Sequence, residues 1–313
     1  MKHRLNIVKV AGMVTMSMLL KVSVGQQDPM YTQYMFNSQT VNPAYAGTWE
    51  SLGFLALARQ QWVGFDGAPS TYTFSMQSIL KNPRVAIGLN VVSDRLGLEK
   101  RLGVFADYSF KVRVSEEANL RLGLKAGFTN YSNNLSAYNL YSGSRADPVF
   151  QGDYDVKFMP NFGIGAFLYR TDYFLGFAIP KIIQNKFINS YTNYTVTAEM
   201  RHFFFNAGIV LRISEDLKFK PTFLAKATLG APVEFDFTAN FLLREKLWLG
   251  AMYRTGDSFG FIAQWIFDQK LRIGYAVDFT ITNLQRYHSG THEIMVSYEL
   301  RLVREKFVSP RYY

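Results

Sequence analysis

From about residue 51 onward, apolar and polar side chains follow one another with a period of two, the spacing of a strand that turns one face to an apolar medium. Phe235, Phe237, Ala239, Phe241 and Leu243 alternate with Glu234, Asp236, Thr238, Asn240 and Arg244. Leu271, Ile273, Tyr275, Val277 and Phe279 alternate with Arg272, Gly274, Ala276, Asp278 and Thr280. Near the C-terminus, Ile294, Val296, Tyr298 and Leu300 alternate with Glu293, Ser297, Glu299 and Arg301. The pattern predicts fourteen strands, near 51–60, 70–80, 84–93, 101–113, 119–130, 158–170, 172–180, 199–213, 217–228, 233–244, 246–254, 258–267, 270–280 and 290–303.

A soluble sandwich also alternates, so the connections decide between the two architectures. Every second connection is short, and the other set contains the two longest, about 131–157 and 181–198, and the loop 281–289. Single-chain outer-membrane barrels have an even strand number, short periplasmic turns and longer outside loops; a sandwich has no reason to keep that parity. Most strands run nine to thirteen residues, enough to cross a bilayer when tilted and longer than the ~5–6 of ordinary sheets. Trp248, Trp265, Tyr108, Tyr169, Tyr173 and Tyr253 fall near strand ends, where aromatic girdles are expected. The expected fold is all-β: a single antiparallel up-and-down transmembrane β-barrel of about fourteen strands over residues 51–303, with residues 304–313 as a C-terminal periplasmic tail.

The N-terminus changes the picture in two ways. Residues 1–25 read as a secretory signal: Lys2, Arg4 and Lys9, then the apolar stretch from Val10 to Leu20, then the small Ser23 and Gly25. Its removal takes away Lys2, Arg4, Lys9 and Lys21 and no acid, so the formal charge falls from +10 to +6. The remaining cations form no dense stripe, and no nucleic-acid partner is expected. Residues 26–50 are too short for a folded plug domain but rich in aromatics, which predicts a strap at or within the periplasmic mouth, with the N-terminus in the periplasm, rather than a disordered leader.

Composition agrees with a barrel. Hydrophobic residues make up 48% and charged residues 19%, with a mean hydropathy of −0.04, too polar for a helical membrane protein. There are 27 Phe, 19 Tyr and no Cys, so thiolate metal sites and Cys nucleophiles are excluded. The alternation aims Arg121, Lys125, Lys218, Lys220, Lys226, Glu234, Asp236, Arg272, Asp278, Glu293, Glu299 and Arg301 into the lumen. Charges of both signs on neighbouring strands predict a largely occupied lumen rather than a wide pore. Pro221, inside a strand pattern, marks a bulge or a local gap in the ladder. Only His3, His202, His288 and His292 are present, without convergent ligands, a phosphate loop or a nucleophile elbow. Neither enzymatic activity nor a cofactor, metal site or small-molecule substrate is expected.

Several motifs resemble the PorP/SprF family of type IX secretion outer-membrane proteins. They are Gln33-Tyr34-Met35-Phe36-Asn37 followed by Asn42-Pro43-Ala44-Tyr45-Ala46-Gly47; Arg59-Gln60-Gln61-Trp62 with Gly67-Ala68-Pro69; Ser93-Asp94 to Gly97; Tyr253-Arg254-Thr255-Gly256-Asp257; and Gly290-Thr291-His292-Glu293-Ile294-Met295. The resemblance singles out Asn42, Pro43, Tyr45, Gly47, Trp62, Thr291, His292 and Glu293. It implies a non-enzymatic barrel in outer-membrane lipid that serves secretion and gliding. The implied partners are cargo proteins with C-terminal sorting domains, periplasmic ring components and a peptidoglycan-binding lipoprotein. The alternative from another class is a diffusion channel or hydrophobic-substrate transporter.

Overall fold

The structure, a computed structural model, describes residues 28–134, 154–188, 195–197, 199–268 and 270–300. Its strands are β1 (Leu52–Gln60), β2 (Ser70–Ile79), β3 (Val85–Leu96), β4 (Glu99–Arg113), β5 (Asn119–Asn133), β6 (Tyr154–Tyr169) and β7 (Tyr173–Ile179). They continue with a small hairpin, β8 (Lys186–Ile188) and β9 (Thr195–Thr197), then β10 (His202–Ile209) and β11 (Leu211–Arg212). The last six are β12 (Leu217–Thr228), β13 (Glu234–Leu243), β14 (Leu247–Arg254), β15 (Ser258–Phe267), β16 (Leu271–Thr280) and β17 (Thr291–Leu300). Since β10 and β11 are two parts of one strand, the wall has fourteen antiparallel strands, as the alternation predicts. β1 closes the ring on β17 over nine register pairs, from Leu52↔Leu300 to Gln60↔His292. Closure leaves no long open edge, the condition for a sheet to lie in lipid.

Burial is inverted relative to a soluble protein. Along β15 the exposed residues are Phe259, Phe261, Ala263, Trp265 and Phe267, while Ser258, Gly260, Ile262, Gln264 and Ile266 are buried. Large hydrophobics on the outside and polar side chains on the inside recur round the ring. This arrangement suits a bilayer, where the outer face meets hydrocarbon. Together, closure and this inverted burial place the chain in the outer membrane. Among the described residues no helix is long and apolar enough to cross a membrane.

At one end of the barrel, here the turn end, every connection is short. One follows β13: Arg244 and Glu245 both take left-handed φ, 47° and 57°, and Lys246 N donates to Leu243 O. That is the two-residue hairpin turn whose twist matches the strands, built here without glycine. The other end, the loop end, carries 61–69, 134–153, 180–201 and 281–290. The connection there between β3 and β4 is only Gly97-Leu98, because both strands run further than the alternation implied.

Three expectations change on contact with the structure. Trp248 and Tyr169 do not join an outer girdle; they point into the lumen and are buried, whereas Trp265, Tyr108 and Tyr253 face outward. Pro221 causes no bulge, since it pairs in register with Ala239; with no N–H to give, it leaves a gap opposite the break between β10 and β11. The strap is longer-reaching than a cover over one mouth. Residues 28–50 run through the lumen from the loop end to the turn end.

Candidate functional site: the filled lumen

The strap begins at the loop end. Asp28 Oδ1 lies 3.0 Å from Lys181 Nζ, and its other oxygen lies 3.5 Å from His202 Nδ1. Lys226 Nζ donates to the Asp28 carbonyl. Burial by itself would raise the Asp28 carboxyl, but Lys181 and His202 hold it well below its ordinary range. Burial would conversely lower Lys181, and its carboxylate neighbours Asp28 and Glu199 raise it.

One turn further on, the strap meets a charge cluster at the closing seam. Arg59 of β1 lies 2.9 Å from Asp278 of β16 and 3.1 Å from Glu293 of β17. Glu293 accepts the backbone N–H groups of Thr32 and Gln33, both at 3.0 Å. The Thr32 hydroxyl bridges Arg59 and Asp278, at 2.8 and 2.6 Å. All four side chains are almost fully buried. Pairing buried charges in this way is what makes them tolerable; removing one partner would strand the rest.

At mid-depth the contacts turn aromatic. Tyr34 OH meets Thr222 Oγ1 at 2.9 Å. Lys220 points its ammonium at the rings of Phe36, Phe174 and Trp248, 5.5–5.8 Å from their centroids. No carboxylate among the described residues pairs with it. Phe36 and Trp248 pack together at 5.8 Å, which explains why a tryptophan points inward.

Toward the turn end the strap is moulded to the wall. It forms two short 3-10 turns, Ser38–Thr40 and Pro43–Tyr45. Asn42 caps the second: its side-chain oxygen accepts from Ala44 N, and its amide donates to Ala166 O of β6. Pro43 occupies the first position of that turn, where a missing N–H costs nothing. Tyr45 meets Phe167 edge to face at 5.3 Å. Gly47 has φ +83°, and a Cβ there would strike Ala86 and Arg121. Arg121 donates to the Gly47 carbonyl and to Ser109 Oγ, both at 3.0 Å. Lys111 pairs with Glu50 at 2.9 Å, and Ser51 donates to Glu299 at 2.8 Å. The spaces left between strap and wall, beside Lys220 and beside Trp49, are about 10 Å³ each.

The residues named from sequence fall into separate places. Arg121, Lys125, Asp236, Arg272, Asp278, Glu293 and Glu299 are buried in the lumen, and Glu234 is half-buried beside them. Lys125 pairs with Asp107, and Asp236 takes both arms of Arg254 at 2.8 Å. Arg301 lies outside the described residues, as do the signal and the C-terminal tail. Thr291 Oγ1 accepts from Trp62 N, whose φ of 45° bends the first loop over the barrel end. His292 faces outward and bonds Tyr275 OH, so the Thr291-His292-Glu293 triplet is divided between loop, outer face and lumen. Among the described residues no three His, Asp or Glu side chains are grouped to hold a metal.

Among the lumen residues that the alternation left unnamed are Arg59, Asp107, Lys111 and Arg254. Arg59 and Arg254 follow apolar or small inward neighbours, so their strands show no charged face to read. Asp28 and Thr32, on the strap, obey no strand periodicity.

Comparison with known proteins gives two results. The family model for the type IX secretion system membrane protein PorP/SprF matches residues 23–298. Among solved structures, the outer membrane protein Omp33 of Acinetobacter baumannii shares 10% identity at a TM-score of 0.46, over 80% of this chain and 99% of its own. A deltaS2 mutant of the TodX monoaromatic hydrocarbon channel gives 11% and 0.47, over 81% and 90%. A Pseudomonas aeruginosa FadL homologue gives 11% and 0.45, over 88% and 95%. No curated protein sequence matches the chain.

Proposed function

The chain belongs to the PorP/SprF family of type IX secretion system membrane proteins, and from that premise we propose that it is an accessory barrel, non-conducting and non-enzymatic. It supports export or surface anchoring of cargo with C-terminal sorting domains. The observation that carries this reading is the lumen filled by the chain's own residues 28–50. A conduit needs a free path; this barrel spends its inward charges on holding a strap.

The short turns belong in the periplasm and the long connections outside, on the strength of their lengths. On that orientation, with residues 1–25 removed as a signal, Asp28 sits at the outer mouth and the strap descends to enter β1 from the periplasmic side. Ring and peptidoglycan-binding components of the secretion and gliding machinery would then meet the turn end and the tail 304–313. A diffusion channel or hydrophobic-substrate transporter is the rival reading, and the occupied lumen weighs against it. Deleting the gene should leave specific cargo unsecreted or shed from the surface, read by comparing surface and secreted proteomes. Unchanged proteomes would contradict the proposal.

A further inference from the structure

The outer wall is uncharged with one interruption. Among the described residues of the wall strands, Arg95 of β3 and Lys100 of β4 are the only Asp, Glu, Lys or Arg side chains at positions that the alternation turns outward. Both are exposed, and the register sets them directly opposite each other. Side chains so placed stand about 5 Å apart at Cβ, where like charges repel.

No acid relieves them. Among the described residues neither cation has a carboxylate within ion-pair distance. The acids of the same hairpin, Asp94 and Glu99, take inward positions, where Asp94 accepts from Thr71 and Glu99 pairs with Arg101. Arg95 Nε donates to the Gly97 carbonyl at 3.2 Å, and Gly97 N donates to Gly67 O at 2.9 Å. The first loop therefore braces the turn that carries the pair. Two braced cations side by side, without an acid between them, are suited to an anion.

Their surroundings narrow the choice of anion. Next in the register come Ser70 of β2 and Gln60 of β1, both at outward positions. Toward the turn end the outward residues become apolar, first Leu102 and Tyr72, then Val104, Val91 and Phe74. The pair thus stands at the loop-end rim of the band that meets hydrocarbon, at headgroup depth. On β14, β15 and β16 the outward residues at the same end are the aromatics Tyr253, Phe259 and Phe279, so the cationic rim belongs to one side of the barrel.

Resting on the orientation proposed above, with the loop end outside, we propose that this rim binds a phosphorylated glycolipid of the outer leaflet. Its phosphate bridges Arg95 and Lys100, Ser70 and Gln60 meet sugar hydroxyls, and its acyl chains lie along the apolar rows beneath. A soluble acidic partner would match the two cations but not those rows.

The test uses the purified full-length barrel in detergent with diphosphoryl lipid A as probe, titrated and read by native mass spectrometry. Arg95→Gln combined with Lys100→Gln should weaken binding at least tenfold. Arg95→Lys with Lys100→Arg should stay within threefold, and Arg84→Gln at the turn end within twofold. Dephosphorylated lipid A should bind the wild type at least tenfold more weakly. Heat-dependent gel mobility confirms that each variant is folded, and Arg95→Gln alone replaces the double variant if that fails. No wild-type binding, or glutamine variants inside twofold, would overturn the site. Equal affinity for phosphatidylglycerol would reassign it to anionic phospholipid and overturn the glycolipid assignment. The chain has no Cys, so Arg286→Cys reports orientation separately. Labelling of intact cells by a membrane-impermeant maleimide upholds the loop end as outside, whatever the lipid result; labelling only after lysis would overturn both.

Discussion

The two halves of the lumen hold the same strap by different physics. Toward the turn end the fit is mainly one of shape, with the Lys111–Glu50 pair at its lower edge. Gly88, Gly123 and Gly165 line the wall where a Cβ would collide with Gln39, Ala44 and Asn42, so the strap approaches the wall's backbone as closely as glycine permits. Toward the loop end the fit is one of charge, with Asp28 on Lys181 and Thr32 between Arg59, Asp278 and Glu293. A moulded contact resists exchange because any other occupant leaves clashes or voids. An ion-paired contact can be exchanged by a competitor of like charge. The turn end thus acts as a fixed seal, and the loop end is where a partner can compete.

The largest expected effect comes from breaking the charge half. Arg59→Leu leaves Asp278 and Glu293 buried without their cation, a loss of about 3–5 kcal/mol by analogy with other broken buried pairs. Urea unfolding in detergent would read the loss, and limited proteolysis should cut near Thr32 but not near Tyr45. Equal protection at both positions would erase the distinction between the halves.

Breaking the shape half should cost less. Gly123→Val pushes a side chain into Ala44 and should destabilise by about 1–3 kcal/mol, the usual range for overpacking. Its cleavage pattern should reverse, with the strap loosened around Pro43 and still held at Thr32. Loosening at Thr32 instead would mean that the halves are not independent.

The smallest change sharpens the boundary between them. Lys220 sits where the regimes meet, caged by rings and with no carboxylate partner among the described residues. Cation–π contact offsets only part of the cost of burying an ammonium. Lys220→Met should raise stability by roughly 1 kcal/mol, within the gains seen when buried charges give way to apolar groups. A destabilised variant would show that Lys220 holds the strap rather than merely tolerating it.

How far the sequence alone reveals this depends on the face. The outer wall was legible because its medium is uniform: Phe259, Phe261, Trp265 and Phe267 all meet lipid, and a period of two follows. The charged lumen positions Asp236, Asp278 and Glu293 stood out against that background. Trp248 did not, because β14 carries apolar residues on both faces: Leu247, Leu249 and Tyr253 outside, Trp248 and Met252 inside. The inner face can be apolar there only because Phe36 and its neighbours cover it. A strand's pattern cannot announce a partner supplied by a distant, non-periodic segment. The motif Asn42-Pro43-Ala44-Tyr45 carries the residues of a local turn, but its place against β5 and β6 rests on contacts with residues more than 70 positions away.

Planar-bilayer conductance of the intact protein beside a variant lacking residues 28–50 tests the central claim, that the strap seals the barrel. The intact barrel should be electrically silent and the variant should show a steady, ohmic current. A steady current of similar size from the intact barrel would contradict it.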